Sequence, residues 1–329
     1  MTNSLRLIFC GTPQFAVPTL NALLAADHQI ALVVSQPDRP AGRDRQLTAP
    51  PVKLAALADG LPIAQPETIR NNAEFRAQVE AIAPDAIVVV AYGRLIPPWM
   101  LTLPRLGCIN LHASLLPRYR GAAPIQWAVA MGETVTGNTT MLLEEGLDTG
   151  PILLQQALAI APRQTAADLF DALSGGGAPL VVKTLAGLES GTIEPRPQNH
   201  AGASLAPLLT REDGHMDFAT RTATELHNRW RGFQPWPGAF TALDGKKLIV
   251  HRMEVVDTPG SQESTSAKSA PILPGQIRIQ DHRLLVACAG NTWLELIEVQ
   301  LEGKKRLAAA EFLRGIALPA NARFGALTQ

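Results

Sequence analysis

The feature that most constrains this chain is a rhythm of covered runs and helical gaps near its N-terminus. Three nearly unbroken apolar stretches, LRLIFC (5–10), IALVVS (30–35) and AIVVVAY (86–92), are rich in β-branched residues. Between them lie AVPTLNALLAAD (16–27), APPVKLAALADG (49–60) and NAEFRAQVEAIA (72–83), whose apolar residues recur at helical spacing. A strand with one wet face alternates polar and apolar residues, whereas a strand apolar at every position is covered on both faces. Covered strands alternating with helices predict an α/β fold with a doubly wound, parallel, Rossmann-like sheet. Such sheets hold their ligands outside the carboxyl ends of the strands. The turns that follow these strands are therefore the places to search for chemistry.

A further strand is predicted in GCINLH (107–112), followed by a helix in APIQWAVAMG (123–132). The stretch 137–160 reads as strand, loop, strand, with Asp148 at the centre of the loop. Residues 163–191 open on a capping pattern, Thr165 with Asp168 three positions on. The run Gly175–Gly177 predicts that this helix breaks into two pieces. Residues 190–208 are poor in periodic apolar positions and rich in Pro, Gly and Ala, which reads as a linker. After a helix at 220–232 come LIVHRMEVV, GQIRIQ, RLLVAC and TWLELIEVQL, a spacing of short strands that predicts a small β-barrel. The expected organisation is a catalytic domain at 1–189, a linker at 190–208 and a barrel domain at 209–329. The polar tract SQESTSAKSA (261–270) is expected to be a mobile loop inside the barrel domain.

Composition excludes little else. The 29 basic and 29 acidic side chains cancel, so no global field points to nucleic acid or an anionic membrane. Cys10, Cys108 and Cys288 are too dispersed for a disulfide framework or a zinc knuckle. No apolar run approaches the length of a membrane span, and the N-terminus lacks a cleavage region, so a cytoplasmic location is expected.

Gly11 follows the first strand directly, but neither GxGxxG nor a Walker pattern surrounds it. It reads as a tight turn that borders the pocket and is counted with the substrate-binding residues. The segment 35–53, SQPDRPAGRDRQLTAPPVK, is a long polar loop of the kind that serves as a lid or binding segment. Arg39, Arg43, Arg45 and Lys53 on it could grip phosphates. Asn110 and His112, two apart in a strand, share one face at its end. A carboxamide, an imidazole and the loop carboxylate of Asp148 would suit acyl transfer without a covalent intermediate. The blander reading is a buried histidine satisfied by its neighbours, with Asp148 capping a turn. Ser114 lacks a GxSxG elbow, and two ligands, His112 and Asp148, make no metal site.

GCINLHASLLPRYRGAAPIQWA, followed by GLDTG, resembles the formyltransferase family that uses 10-formyltetrahydrofolate. FCGTPQFAVP, QPDRPAGR and FQPWPGAFT (233–241) resemble the members of that family whose acceptor is methionyl-tRNA, and the likeness runs through the whole chain. It implies a formyltransferase domain followed by an oligonucleotide-binding (OB-like) barrel that helps hold tRNA. It also implies 10-formyltetrahydrofolate as co-substrate without a metal, methionyl initiator tRNA as partner, and a monomer. By the same resemblance Asn110, His112 and Asp148 are the catalytic trio, and Ser114, Leu115, Leu116 and Pro117 form a turn that contacts folate. Val90 and Tyr92, within 88–97, would belong to the wall around the pterin. Phe15 would face the methionine side chain and Arg43 the tRNA, while Leu208 departs from the lysine usual at its position. On the barrel, Arg229, Arg231, Lys246, Lys247, Lys304, Lys305 and Arg306 form an expected basic stripe.

Two rivals remain. One is a formyltransferase acting on a small amine such as a nucleotide-linked amino sugar, against which the basic loop at 35–53 argues. The other is a non-catalytic RNA-binding protein on a dead α/β scaffold, against which retention of all three polar site residues argues.

Overall fold

The computed structural model describes residues 4–41, 46–257, 273–319 and 321–325. The covered runs form strands β1 (Arg6–Gly11), β2 (Gln29–Val34) and β6 (Ala86–Val90). Helices α1 (Val17–Ala25), α2 (Pro51–Ala58) and α3 (Ala73–Ile82) follow in the expected gaps. A short β5 (Ile63–Ala64), α4 (Pro98–Leu101), β7 (Cys108–His112), α5 (Pro124–Ala130), β8 (Val135–Leu142), β9 (Ile152–Ala159) and α6 (Ala166–Glu189) complete this part. The sheet order is β5-β2-β1-β6-β7-β8-β9. Pairing is parallel from β5 to β7, and β8 and β9 join antiparallel. Because β2 lies on one side of β1 and β6 on the other, the winding reverses between β1 and β6. That reversal opens a crevice at their carboxyl ends, where Gly11 stands opposite Val90.

The segment 35–53 is not a plain loop. It carries a small antiparallel hairpin, β3 (Arg39–Ala41) with β4 (Gln46–Thr48), in which Arg39 stands opposite Thr48. Arg43 and Arg45 lie outside the described residues, as does the polar tract 261–270.

The expected break at Gly175–Gly177 does not occur: α6 runs without interruption for 24 residues. The physical reason is packing. A Cβ on Gly177 would come within 2.5 Å of Leu111 Cδ2 on β7 and 3.3 Å of Asn138 Nδ2 on β8. Asn138 in turn donates to the Leu173 carbonyl at 2.8 Å. The bare helix face lets α6 lie close on the sheet, and that burial outweighs the low propensity of glycine. Gly175 is different: it is exposed, with nothing near its missing Cβ. Gly175→Ala should therefore stabilise the chain by about 0.5–1 kcal/mol. Gly177→Ala should destabilise it by about 1–2 kcal/mol through overpacking. Urea unfolding of the two variants checks the opposite signs.

The chain divides into two units, Met1–Ile125 with Val135–Ala161 and Asp168–Leu208, and Gln126–Thr134 with Pro162–Ala167 and Leu209–Gln329. Residues 190–208, read from sequence as a linker, fall within the first unit.

In the second unit α7 (Ala223–Gly232) begins with a capping box in which Thr222 and Glu225 satisfy each other's backbone amides. Strands β10 (Phe240–Leu243), β11 (Lys246–Val256), β12 (Ile277–Gln280), β13 (Arg283–Cys288), β14 (Thr292–Leu301) and β15 (Leu307–Ala308) follow, then α8 (Ala309–Arg314). The sheet runs β10-β11-β14-β13-β12 and is antiparallel throughout. An extra residue, His251, bulges β11 between Val250 and Arg252 and bends it. The stretch 322–325 then joins the two edges. Gly325 and Ala242 exchange hydrogen bonds at 3.1 and 3.2 Å beside β10, while Ile277 donates to Ala322 and Phe324 to Gly275, each at 2.9 Å. This closure makes the sheet a barrel around Leu248, Val250, Met253, Leu284, Leu294 and Leu296.

Candidate active site

The carboxyl edge of the first sheet brings several expected residues into one row. Gly11 ends β1 opposite Val90, Val89 pairs with Asn110, and His112 ends β7. Asn110 and His112 point to one face because they are two apart on a strand. Both are buried, Asn110 at 9% exposure and His112 at 5%.

The histidine is committed at one nitrogen. His112 Nε2 lies 2.8 Å from the Tyr119 carbonyl oxygen. A carbonyl can only accept, so Nε2 carries the proton of that hydrogen bond. Nδ1 therefore remains the working nitrogen, and it faces Asp148 Oδ2 at 3.6 Å. That separation is too long for a direct hydrogen bond but close enough for a strong electrostatic contact. Asp148 Oδ2 accepts from the Gly121 amide at 2.8 Å. The Asp148 backbone is held in the left-handed region, φ 50°, which surroundings must enforce in a non-glycine residue. Gly121 has no such freedom to vary: at φ 122°, its Cβ would meet the Ala206 carbonyl oxygen at 2.6 Å. The Asn110 carboxamide has no hydrogen-bond partner among the described residues. A nearly buried amide with free donors thus shares a strand face with an imidazole that keeps one free nitrogen, and a carboxylate stands opposite that nitrogen. This set can stabilise an oxyanion and accept a proton without forming a covalent intermediate.

Residues 5–185 match the model of the formyl transferase family, and residues 208–317 match that of the formyl transferase C-terminal domain. The chain belongs to the formyl transferase family. The methionyl-tRNA formyltransferase of Acidobacterium capsulatum is 62% identical, the alignment covering 98% of this chain and 100% of the relative. That of Koribacter versatilis is 56% identical over 94% of this chain and 95% of its own. Among solved structures, an N-formyltransferase from Helicobacter canadensis, in complex with folinic acid and dTDP-3-aminofucose, shares the fold. Its TM-score is 0.62 at 17% identity, with 89% of this chain and 98% of that chain covered.

Other residues expected from the formyl transferase resemblance divide by what their side chains touch. Ser114 is fully buried and donates to the Arg118 carbonyl at 2.6 Å, so it staples the turn and is no nucleophile. Leu116 is core, packed with Met141 and Ile152, and its carbonyl and amide are held by Gln155 and Thr139. Leu115 and Pro117 are half-buried and keep accessible surface. Val90 and Tyr92 have buried side chains. Burial pushes the Tyr92 hydroxyl's pKa above its ordinary value, and that hydroxyl lacks a partner among the described residues. Phe15 packs edge-on against Phe170 at 5.1 Å, and Gly11 is enclosed by Phe9 and Ala16. Lys53 is already paired with Asp38 at 2.7 Å, and Gln65 also donates to that carboxylate, which holds it below the usual range.

The barrel stripe needs correction. Arg231 is buried and donates to the Gln164 carbonyl and to Asn228, and Arg229 lies over Trp127 and Phe233 beside Asp213. Neither belongs to a solvent-facing row. Arg306 is paired with Glu298, and Lys247 sits over the Phe240 ring. Lys246 and Lys304 remain exposed. Sequence reasoning also missed Arg120 and Gln198, which lie behind the Asp148 loop. No periodicity marks them, because each acts through buried polar contacts to partners distant in sequence. Among the described residues no helix is long and apolar enough to cross a membrane, and no three His, Cys, Asp or Glu side chains cluster as a metal site requires.

Proposed function

We propose that this chain transfers the formyl group of 10-formyltetrahydrofolate to the amino group of methionyl initiator tRNA, acting as a cytoplasmic monomer. The observation that carries the chemistry is the His112 imidazole, fixed at Nε2 by Tyr119, with Nδ1 facing Asp148. The acceptor is supported by full-length identity to relatives named methionyl-tRNA formyltransferase.

The amine nitrogen attacks the formyl carbon, and the carbonyl pair moves onto oxygen to give a tetrahedral oxyanion. Asn110 donates a hydrogen bond to that oxygen. His112, when charged, donates a second from Nδ1. Each such donor is worth about 3 kcal/mol to the transition state. The attacking amine must lose one proton, which passes to the Asp148 carboxylate directly or through water. The carbon–N10 bond then breaks, its electron pair returns to N10, and N10 takes up a proton. Leu115 and Pro117 supply the apolar surface of the turn beside this chemistry. Arg43, outside the described residues, is the proposed tRNA contact on the segment 35–53.

Three acceptors offered with 10-formyltetrahydrofolate test the reading: methionyl initiator tRNA, methionyl elongator tRNA and a nucleotide-linked amino sugar. Formylation of the initiator far ahead of the others is expected. Transfer to the amino sugar alone would keep the chemistry and overturn the acceptor. No transfer to any of them would overturn both.

A further inference from the structure

The stretch 196–206, without periodicity in sequence, is a strap across the turn that holds the site. Ile152 and Arg196 exchange backbone hydrogen bonds at 2.8 and 2.9 Å. Arg120 donates to the Ser204 carbonyl at 2.8 Å and accepts from Ala206 at 2.7 Å, while the Tyr119 amide donates to Ser204 Oγ. In the middle of this strap sits Gln198, 5% exposed.

Its amide is saturated. Gln198 Nε2 donates to the carbonyls of Asp148 at 2.8 Å and Gly150 at 2.7 Å. Oε1 accepts from Arg120 Nε at 3.1 Å and Nη2 at 2.6 Å. A guanidinium has no acceptor, so the amide oxygen must face Arg120 and the amide nitrogen must face the two carbonyls. Chemistry thereby fixes the orientation of the amide. Arg120 is itself buried, its remaining contact is His200 Nδ1, and among the described residues no carboxylate pairs with it.

Three consecutive residues thus bracket the reacting pair from behind. The Tyr119 carbonyl holds His112, the Gly121 amide holds the Asp148 carboxylate, and the Arg120 side chain, through Gln198, holds the Asp148 peptide. We propose that Gln198 is a positioning residue for Asp148. It clamps the left-handed peptide of the GLDTG loop so that the carboxylate stays opposite His112 Nδ1. Among the described residues Gln198 makes no hydrogen bond to His112 or Asn110, so its effect reaches the reaction through the placement of Asp148. The inference rests on the reading of Asp148 and His112 as the reacting pair.

The test compares wild type, Gln198→Leu, Gln198→Glu and Asp148→Asn in steady-state formyl transfer to methionyl initiator tRNA, with melting temperatures alongside. Gln198→Glu decides the matter, since it keeps the volume and the acceptor for Arg120 but, when ionised, cannot donate. Its kcat is expected to fall at least 30-fold, with both KM values within threefold of wild type and an unchanged melting temperature. The ratio of its kcat to that of wild type should rise as pH falls, because a protonated carboxyl regains one donor. Gln198→Leu should show the same kcat loss without that pH dependence. Gln198 variants within threefold of wild type in kcat, beside a crippled Asp148→Asn, would overturn the clamp and leave the site reading intact. A kcat loss that simply follows melting temperature would also overturn it. An Asp148→Asn variant as active as wild type would instead overturn the site reading.

Discussion

Replacing Asp148 with asparagine should lower kcat for formyl transfer about 10³-fold, the range expected for a positioned proton acceptor. The substitution changes almost nothing else. The new side-chain oxygen can still accept from the Gly121 amide that now binds Oδ2 at 2.8 Å. The Gln198 contact is to the backbone carbonyl and is untouched. What is lost is the negative charge opposite His112 Nδ1 and a group able to take the amine proton. KM for both substrates and the melting temperature should therefore stay near wild type. If the carboxylate merely shaped the loop, asparagine would shape it as well, and kcat would remain within tenfold. Single-turnover transfer at saturating substrate separates the two outcomes.

What the sequence made legible follows a physical division. Strands covered on both faces leave a continuous apolar record, so β1, β2, β6 and β7 stand where the runs LRLIFC, IALVVS, AIVVVAY and GCINLH put them. Two-residue spacing on a strand is rigid, which is why the sequence alone assigns Asn110 and His112 to one face. Tertiary packing leaves no such record. Gly175–Gly177 looks like a helix break because propensity is local, whereas the contact of Gly177 with Leu111 is not. The short stretch 322–325 carries no strand pattern, yet its backbone closes the barrel. Arg229 and Arg231 read as surface charges because sequence shows charge but not the Trp127, Phe233 and Gln164 groups that enclose them. Gln198 was the least visible of all. A polar residue in a Pro-rich, aperiodic stretch reads as solvated linker until the carbonyls of Asp148 and Gly150 are seen above it.

Replacing His112 with alanine should cost at least as much as Asp148→Asn, about 10³- to 10⁴-fold in kcat, and the double variant should be barely worse than either single one. The expectation follows from how the imidazole is held. With Nε2–H bound to the Tyr119 carbonyl, every catalytic task proposed for the ring falls on Nδ1, and that nitrogen faces Asp148. In the proposed mechanism the ring donates to the oxyanion from the same nitrogen that faces the Asp148 carboxylate, the group that would take the amine proton. Removing one member strips the other of its partner, so the two losses are largely one loss. Independent roles would instead multiply, and the double variant would then fall by the product of the single effects, to about 10⁶-fold or more below wild type. A double-variant cycle measured by formylation of methionyl initiator tRNA distinguishes a pair acting as one unit from two neighbours acting separately. Near-wild-type activity in His112→Ala would remove the imidazole from the mechanism and leave oxyanion stabilisation to Asn110 alone.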